Sequence, residues 1–298
     1  MDGADTSQPR RRQITLEGRG PGAVAAVELG PEQQPIDIVF LHANGFNALT
    51  YRTILGPVAE AGMRILAVDQ RGHGGTTLQT HTDQRTSWYD LRDDLLALKR
   101  TLALEDVVLA GHSMGGTACL MAAAEAPEHV RRLTLFDPVV LPPEAIRARL
   151  SGEAGGEHSP LVAGARRRRA VFPSRAAALE TYRGRGAFRA WTEAMLADYV
   201  QAGFRDLPSG EVTLACDPVW EASNFTSHDH DTWDAFRRMR RPVRILRAEH
   251  ESTARVEDHM AELSALGIGV ETVPGTTHFL PMERPDVVQA ALLEAVRG

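Results

Sequence analysis

Three features of this 298-residue chain predict an α/β domain, a mostly parallel sheet with helices on both faces. Short apolar runs alternate with segments of helical spacing. The alternation stops at Pro138 and resumes near residue 242, as if a block had been inserted. The composition, 43% apolar and 24% charged, is that of an ordinary globular protein, and the length is enough to bury a full core.

The elements follow in order. "RQITLEG" and "AVAAVELG" read as two short strands joined by the turn "RGPG". "DIVFLHA" (37–43) is a continuous apolar run suited to a buried strand, and residues 48–62 have helical spacing up to Gly62. Residues 63–69 and 87–104 repeat the pattern as strand and helix. Residues 106–112, 115–126 and 131–137 then read as strand, helix and strand. From 138 to about 232 the chain is rich in Arg, Ala, Glu and aromatics, with helical stretches such as "SRAAALETYR" and no convincing buried strand. Strand 242–249, helix 255–266, strand 269–275 and helix 283–297 complete the pattern. The expected organisation is a core of residues 1–137 and 233–298 with a helical lid at 138–232. Such a block would roof the carboxyl ends of the strands, where open α/β sheets bind ligands.

The bulk properties exclude several classes. A net charge of −6 argues against a nucleic-acid partner. Cys119 and Cys216 are too few for a disulfide framework and lack metal-ligand spacing, and Cys119 reads as a small buried hydrophobe. The polar start "MDGADTSQPRRRQ" has no apolar signal region, and no run approaches the roughly 18 apolar residues of a membrane span. The expectation is a cytoplasmic protein with no membrane partner, no metal and no cofactor.

The chemistry centres on "VVLAGHSMGG", where a strand runs through Gly-His-Ser-Met-Gly into a helix of small residues. A tight strand–turn–helix forces the central residue, Ser113, into a strained backbone and exposes its hydroxyl at the sheet's edge. A serine hydroxyl needs a base to take its proton during attack. His278, in "TTHFLPMERP" after the last strand, lies on the same rim and is the candidate. A carboxylate should orient that imidazole. Glu251 in "RAEHES" is the preferred one, Asp137 in "LFDP" the alternative, and Glu249 reads as structural. The developing oxyanion needs donors, assigned to the backbone N–H groups of Met114 and of Asn44 in "HANGF".

In this chain order the motifs resemble those of the α/β-hydrolase superfamily over about two-thirds of the chain: "FLHANGF", "VDQRGHGGT", "GHSMGG", "LFDP", "RAEHES" and "TTHFLPMERP". The resemblance implies a central sheet of about eight strands, a helical cap, and a cofactor-free mechanism through an acyl-enzyme on Ser113. Two features depart from the common pattern: His-Ala-Asn-Gly where many relatives have His-Gly, and Glu251 where aspartate is commoner. A serine at the elbow also disfavours epoxide hydrolase or dehalogenase chemistry, for which relatives use aspartate there.

The expected activity is hydrolysis of carboxylic esters, lactones or thioesters of a small molecule with an apolar acyl or aromatic part. C–C hydrolases, amidases and acyltransferases use the same triad, and a non-turnover binding protein on this fold is the alternative of another class. Other features read more plainly. His228 and His230 in "SHDHDTW" read as a solvated loop rather than a metal site, and "ARRRRAVF" as a solvated helix face. Trp191, Tyr199, Trp220 and Phe225 line a pocket or pack the lid.

Overall fold

The computed structural model describes residues 8–152 and 159–298; the first part of the polar N-terminal start and residues 153–158 of the inserted block lie outside the described residues. The chain opens with strands β1 (Arg10–Ile14), β2 (Val24–Leu29) and β3 (Ile38–Leu41), the last two wholly buried. Helix α1 (Arg52–Glu60), strand β4 (Ile65–Val68), helix α2 (Tyr89–Thr101), strand β5 (Val107–His112), helix α3 (Met114–Glu125) and strand β6 (Val130–Phe136) follow. The eight-stranded sheet closes with the late strands β10 (Val243–Ala248) and β11 (Ile268–Val273), in the spatial order β1-β2-β4-β3-β5-β6-β10-β11. Pairing is antiparallel only at β1–β2 and β2–β4; the remaining neighbours are parallel. The α/β architecture expected from the alternating runs is therefore the one observed.

Between β6 and the sheet's last two strands come helices α4 (Pro143–Leu150), α5 (Pro160–Arg166), α6 (Arg175–Tyr182), α7 (Glu193–Ala202) and α8 (Pro218–Thr226). Three short strands, β7 (Val171–Phe172), β8 (Phe204–Asp206) and β9 (Val212–Leu214), form a separate antiparallel sheet in the order β7-β9-β8. The expectation of a purely helical block missed this sheet, because runs of two or three residues are too short to show a period. Helix α9 (Thr232–Arg238), strand β10 (Val243–Ala248), helix α10 (Met260–Ala265), strand β11 (Ile268–Val273), the one-turn α11 (Leu280–Glu283) and helix α12 (Pro285–Arg297) complete the chain.

Two apolar layers sandwich the sheet, one including α2 and α3 residues such as Leu95 and Cys119, the other α1 and α12 residues such as Ile54 and Leu292. Central parallel strands covered on both faces read as unbroken apolar runs, which is why β3, β4 and β5 show no alternation. Cys119 and Cys216 are both free and buried. Among the described residues no helix is long and apolar enough to cross a membrane.

Candidate active site

Ser113 stands at the junction of β5 and α3 with φ 55° and ψ −124°, a backbone region that a non-glycine residue occupies only under constraint. The glycines around it make the turn possible. A Cβ at Gly115 would lie 2.4 Å from the Leu41 carbonyl oxygen, and one at Gly111 only 2.6 Å from the Gly115 carbonyl carbon. The Ser113 N–H is spent on the Phe136 carbonyl, 3.0 Å away. Met114 is the first residue of α3, where helix geometry leaves the N–H without an intrahelical acceptor.

His278, in the loop between β11 and α11, brings its Nε2 to 3.0 Å from Ser113 Oγ. Its Nδ1 lies 2.7 Å from Asp137 Oδ2. Asp137 follows β6 directly, is fully buried, and has φ 42°. Its other partners come from the loop after β10: Oδ1 accepts from the Ala248 N–H at 2.8 Å and the Ser252 hydroxyl at 2.5 Å, and Oδ2 from the Thr253 N–H at 3.0 Å. Burial alone would raise the Asp137 carboxyl. The hydrogen bond and charge of His278, with the Ser252 and Ala248 donors, bring it below the usual carboxylate range.

The expected pairing of Glu251 with His278 is not what the structure shows. Glu251 is exposed, with φ 53°, in a loop whose neighbours donate to the Asp137 carboxylate, Ser252 through its hydroxyl and Thr253 through its N–H. The reason is topological. Strands β6 and β10 are parallel neighbours, with Phe136 paired to Leu246, so Asp137 lies one step past its strand while Glu251 lies five past that register. The alternative carboxylate, Asp137, is the one beside the imidazole. Glu249 accepts the Gly275 N–H at 2.8 Å and bonds no residue of the Ser113–His278 line.

The loop after β3 flanks Ser113 and is held by the loop after β4. The Gln70 N–H donates to His42 Nε2 (3.0 Å), the Gly45 N–H to His73 Nε2 (3.0 Å), and the Ala48 N–H to Asp69 Oδ1 (2.7 Å). Both rings are buried, and burial pushes His73 down to about 4. The "VDQRGHGGT" motif thus works as a clamp, a role its residue types alone did not announce. Asn44 spends its side chain on α8: Nδ2 donates to the Glu221 carbonyl at 3.0 Å, and Oδ1 accepts from Asn224 at 2.8 Å. Only its backbone N–H is left to serve as a donor near Ser113. The Gly45 N–H is already committed to His73.

A cavity of about 300 Å³ opens over Ser113 and His278. Its walls are mostly apolar, with Phe46, Trp88, Val139, Phe225 and Phe279, and Glu221 and His228 supply polar groups. Of the four aromatics singled out between residues 138 and 232, Phe225 lines the cavity, whereas Trp191 packs on Phe46 with ring centroids 5.0 Å apart, and Tyr199 and Trp220 are buried. The "SHDHDTW" stretch is packed rather than solvated: His230 is buried, and both rings lie within 5.0 Å of Trp88. Among the described residues no cluster of three or more metal-binding side chains exists. One arginine of "ARRRRAVF" also turns inward, with Arg168 ion-paired to Glu221 at 2.5 Å and donating to the Tyr199 hydroxyl at 2.8 Å.

Comparison with known proteins bears on this site. The chain is 28% identical over 285 residues to an esterase of Mycobacterium tuberculosis, covering 93% of this chain and 86% of that one. It is 36% identical over 105 residues to the sn-1-specific diacylglycerol lipase ABHD11 of Mus musculus, a match spanning 34% of this chain and 32% of that relative's length. The fold superposes on the crystal structure of an E-2-(acetamidomethylene)succinate hydrolase with a TM-score of 0.76 at 23% identity, over 98% of this chain and all of the other. The model of the alpha/beta hydrolase family matches residues 38–291, a span that runs from β3 through Ser113 and His278 into α12. The chain belongs to the alpha/beta hydrolase family and is a hydrolase.

Proposed function

We propose that this hydrolase cleaves carboxylic esters, lactones or thioesters of small apolar molecules through an acyl-enzyme on Ser113. The observation that carries the reading is the unbroken hydrogen-bonded line from Ser113 Oγ through His278 to Asp137 Oδ2. In the first step His278 Nε2 takes the Ser113 proton as Oγ attacks the substrate carbonyl carbon. Asp137, buried and held ionised by its donors, orients the ring and stabilises the imidazolium. The oxyanion is met by the backbone N–H groups of Met114 and Asn44, and the amino-terminal end of α3 adds its positive dipole. His278 then returns the proton to the leaving oxygen or sulfur as the carbonyl re-forms. Water, deprotonated by the same nitrogen, releases the acid and restores Ser113.

Residues 138–232 act in this reading as the cap that sizes the substrate. The cavity of about 300 Å³ sits at the small end of ligand sites, which favours short acyl chains or a single aromatic ring. Initial rates on p-nitrophenyl esters, from acetate to long acyl chains, test the proposal beside Ser113→Ala. Wild-type turnover peaking at short chains, absent from the variant, is expected. Equal turnover by Ser113→Ala refutes the serine mechanism.

A further inference from the structure

Building on the proposed serine mechanism, we propose that His112 is a positioning residue that fixes the main chain of the base, His278, to the strand that carries the nucleophile. A directed chain of hydrogen bonds carries the inference. His112 Nε2 lies 2.7 Å from the backbone oxygen of His278, and His112 Nδ1 lies 2.7 Å from the Tyr51 hydroxyl. The Ala43 N–H, from the loop after β3, meets that hydroxyl at 3.2 Å. Tyr51 and His112 are fully buried and Ala43 nearly so, which leaves water no place in the chain.

The polarity of each link follows from the groups involved. A carbonyl oxygen only accepts, so Nε2 carries the His112 proton and Nδ1 is the acceptor. Tyr51 therefore donates to Nδ1 and uses an oxygen lone pair for the Ala43 N–H. A second proton on the imidazole would set two donors against each other at Nδ1, and burial with the nearby His278 pushes His112 down to about 3. The ring is a fixed neutral tautomer joining three loops of the site.

This arrangement sets His278 from both ends. Asp137 holds its ring and His112 its main chain, while His112 is itself the residue before Ser113. The distance between nucleophile and base is thus tied to two buried side chains, Asp137 at the ring and His112 at the main chain. A displacement of about 1 Å between reacting groups costs on the order of 100-fold in rate, so a support of this kind acts on kcat rather than on substrate binding.

Two substitutions separate the donor from the bulk of the ring. In His112→Gln the amide nitrogen falls near the Nε2 position and keeps a donor for the His278 carbonyl. His112→Asn places its amide near Nδ1 and leaves that carbonyl unpaired. The expected result on a short p-nitrophenyl ester is a roughly 10- to 100-fold lower kcat for His112→Asn with KM nearly unchanged, and a loss of at most about 5-fold for His112→Gln. The low-field proton resonance of the His278–Asp137 bond, which needs no substrate, should be lost in His112→Asn and kept in His112→Gln. Equal behaviour of the two variants in kcat and resonance, or a loss confined to KM, overturns the proposal. Should both fail to fold, Tyr51→Phe decides: a several-fold lower kcat with a shifted base resonance supports the chain, and wild-type values for both overturn it. If the Ser113 mechanism itself is wrong, Ser113→Ala stays active, while the resonance still decides the role of His112.

Discussion

Replacing Asp137 with asparagine is the perturbation whose consequences the geometry determines most fully. The carboxylate accepts from the Ala248 N–H and Ser252 hydroxyl on one oxygen, and from the Thr253 N–H and His278 Nδ1 on the other. An asparagine can present its amide group to only one of these sides. Turned toward His278, the amide donates to Nδ1, forces the ring proton onto Nε2, and leaves His278 unable to accept from Ser113; it also faces the Thr253 N–H donor to donor. Turned the other way, it confronts the Ala248 N–H. Either orientation orphans a buried donor, a cost of about 1–3 kcal/mol, which for a chain of this size lowers Tm by several degrees. The wrong tautomer costs about 10⁴ in kcat, or roughly 5.4 kcal/mol of transition-state stabilisation. Glu251→Gln, at an exposed carboxylate, should leave kcat within about 2-fold. Steady-state ester kinetics and thermal melts on both variants make the comparison. A collapse of kcat in Glu251→Gln with near-normal Asp137→Asn would refute the assignment.

Three further outcomes follow from the same structure. Burial pushes His73 and His228 down to about 4 and His112 to about 3, whereas unfolded histidine titrates near 6.5. Below pH 6.5 the unfolded chain binds protons these rings refuse, so stability is retained at neutral pH and lost as pH falls. The loss should exceed about 1 kcal/mol per pH unit between pH 6 and 5, read by urea unfolding at pH 8, 6 and 5; a flat profile contradicts it. Gly115→Ala, whose Cβ would meet the Leu41 and His42 carbonyl oxygens at 2.4 and 2.6 Å, should lose at least about 2–3 kcal/mol together with most activity. Gly164→Ala, facing open space in α5, should be neutral or stabilising by up to about 1 kcal/mol, and the same unfolding assay compares them.

The parts legible in the sequence were those where local pattern and global fold agree. The buried strands announce themselves as apolar runs, and Ser113 as a serine between glycines at a strand end. His278 follows from lying past the last strand on the same rim. The choice between Asp137 and Glu251 was not legible, because it depends on how far each loop runs beyond two neighbouring strands. Composition says nothing of that register. The Asp137 position immediately after β6, and the Ser252-Thr253 pair that ends up donating to it, were the available signals. The clamp made by His42, Asp69, Gln70 and His73 is equally hidden, since each bond joins residues more than twenty apart. The packed histidines near Trp88 read as solvated because their neighbours in sequence are aspartates, whereas their neighbours in space are aromatic.

In the proposed mechanism Ser113 is a nucleophile activated by His278. Exposure of the protein to a fluorophosphonate, followed by intact mass and peptide mapping, tests it most directly and needs no knowledge of the natural substrate. One adduct on Ser113 is expected, formed with loss of fluoride, absent in Ser113→Ala and slowed at least about 100-fold in His278→Gln. An unmodified Ser113 in a protein that still hydrolyses esters, or equal labelling of the His278→Gln variant, contradicts it.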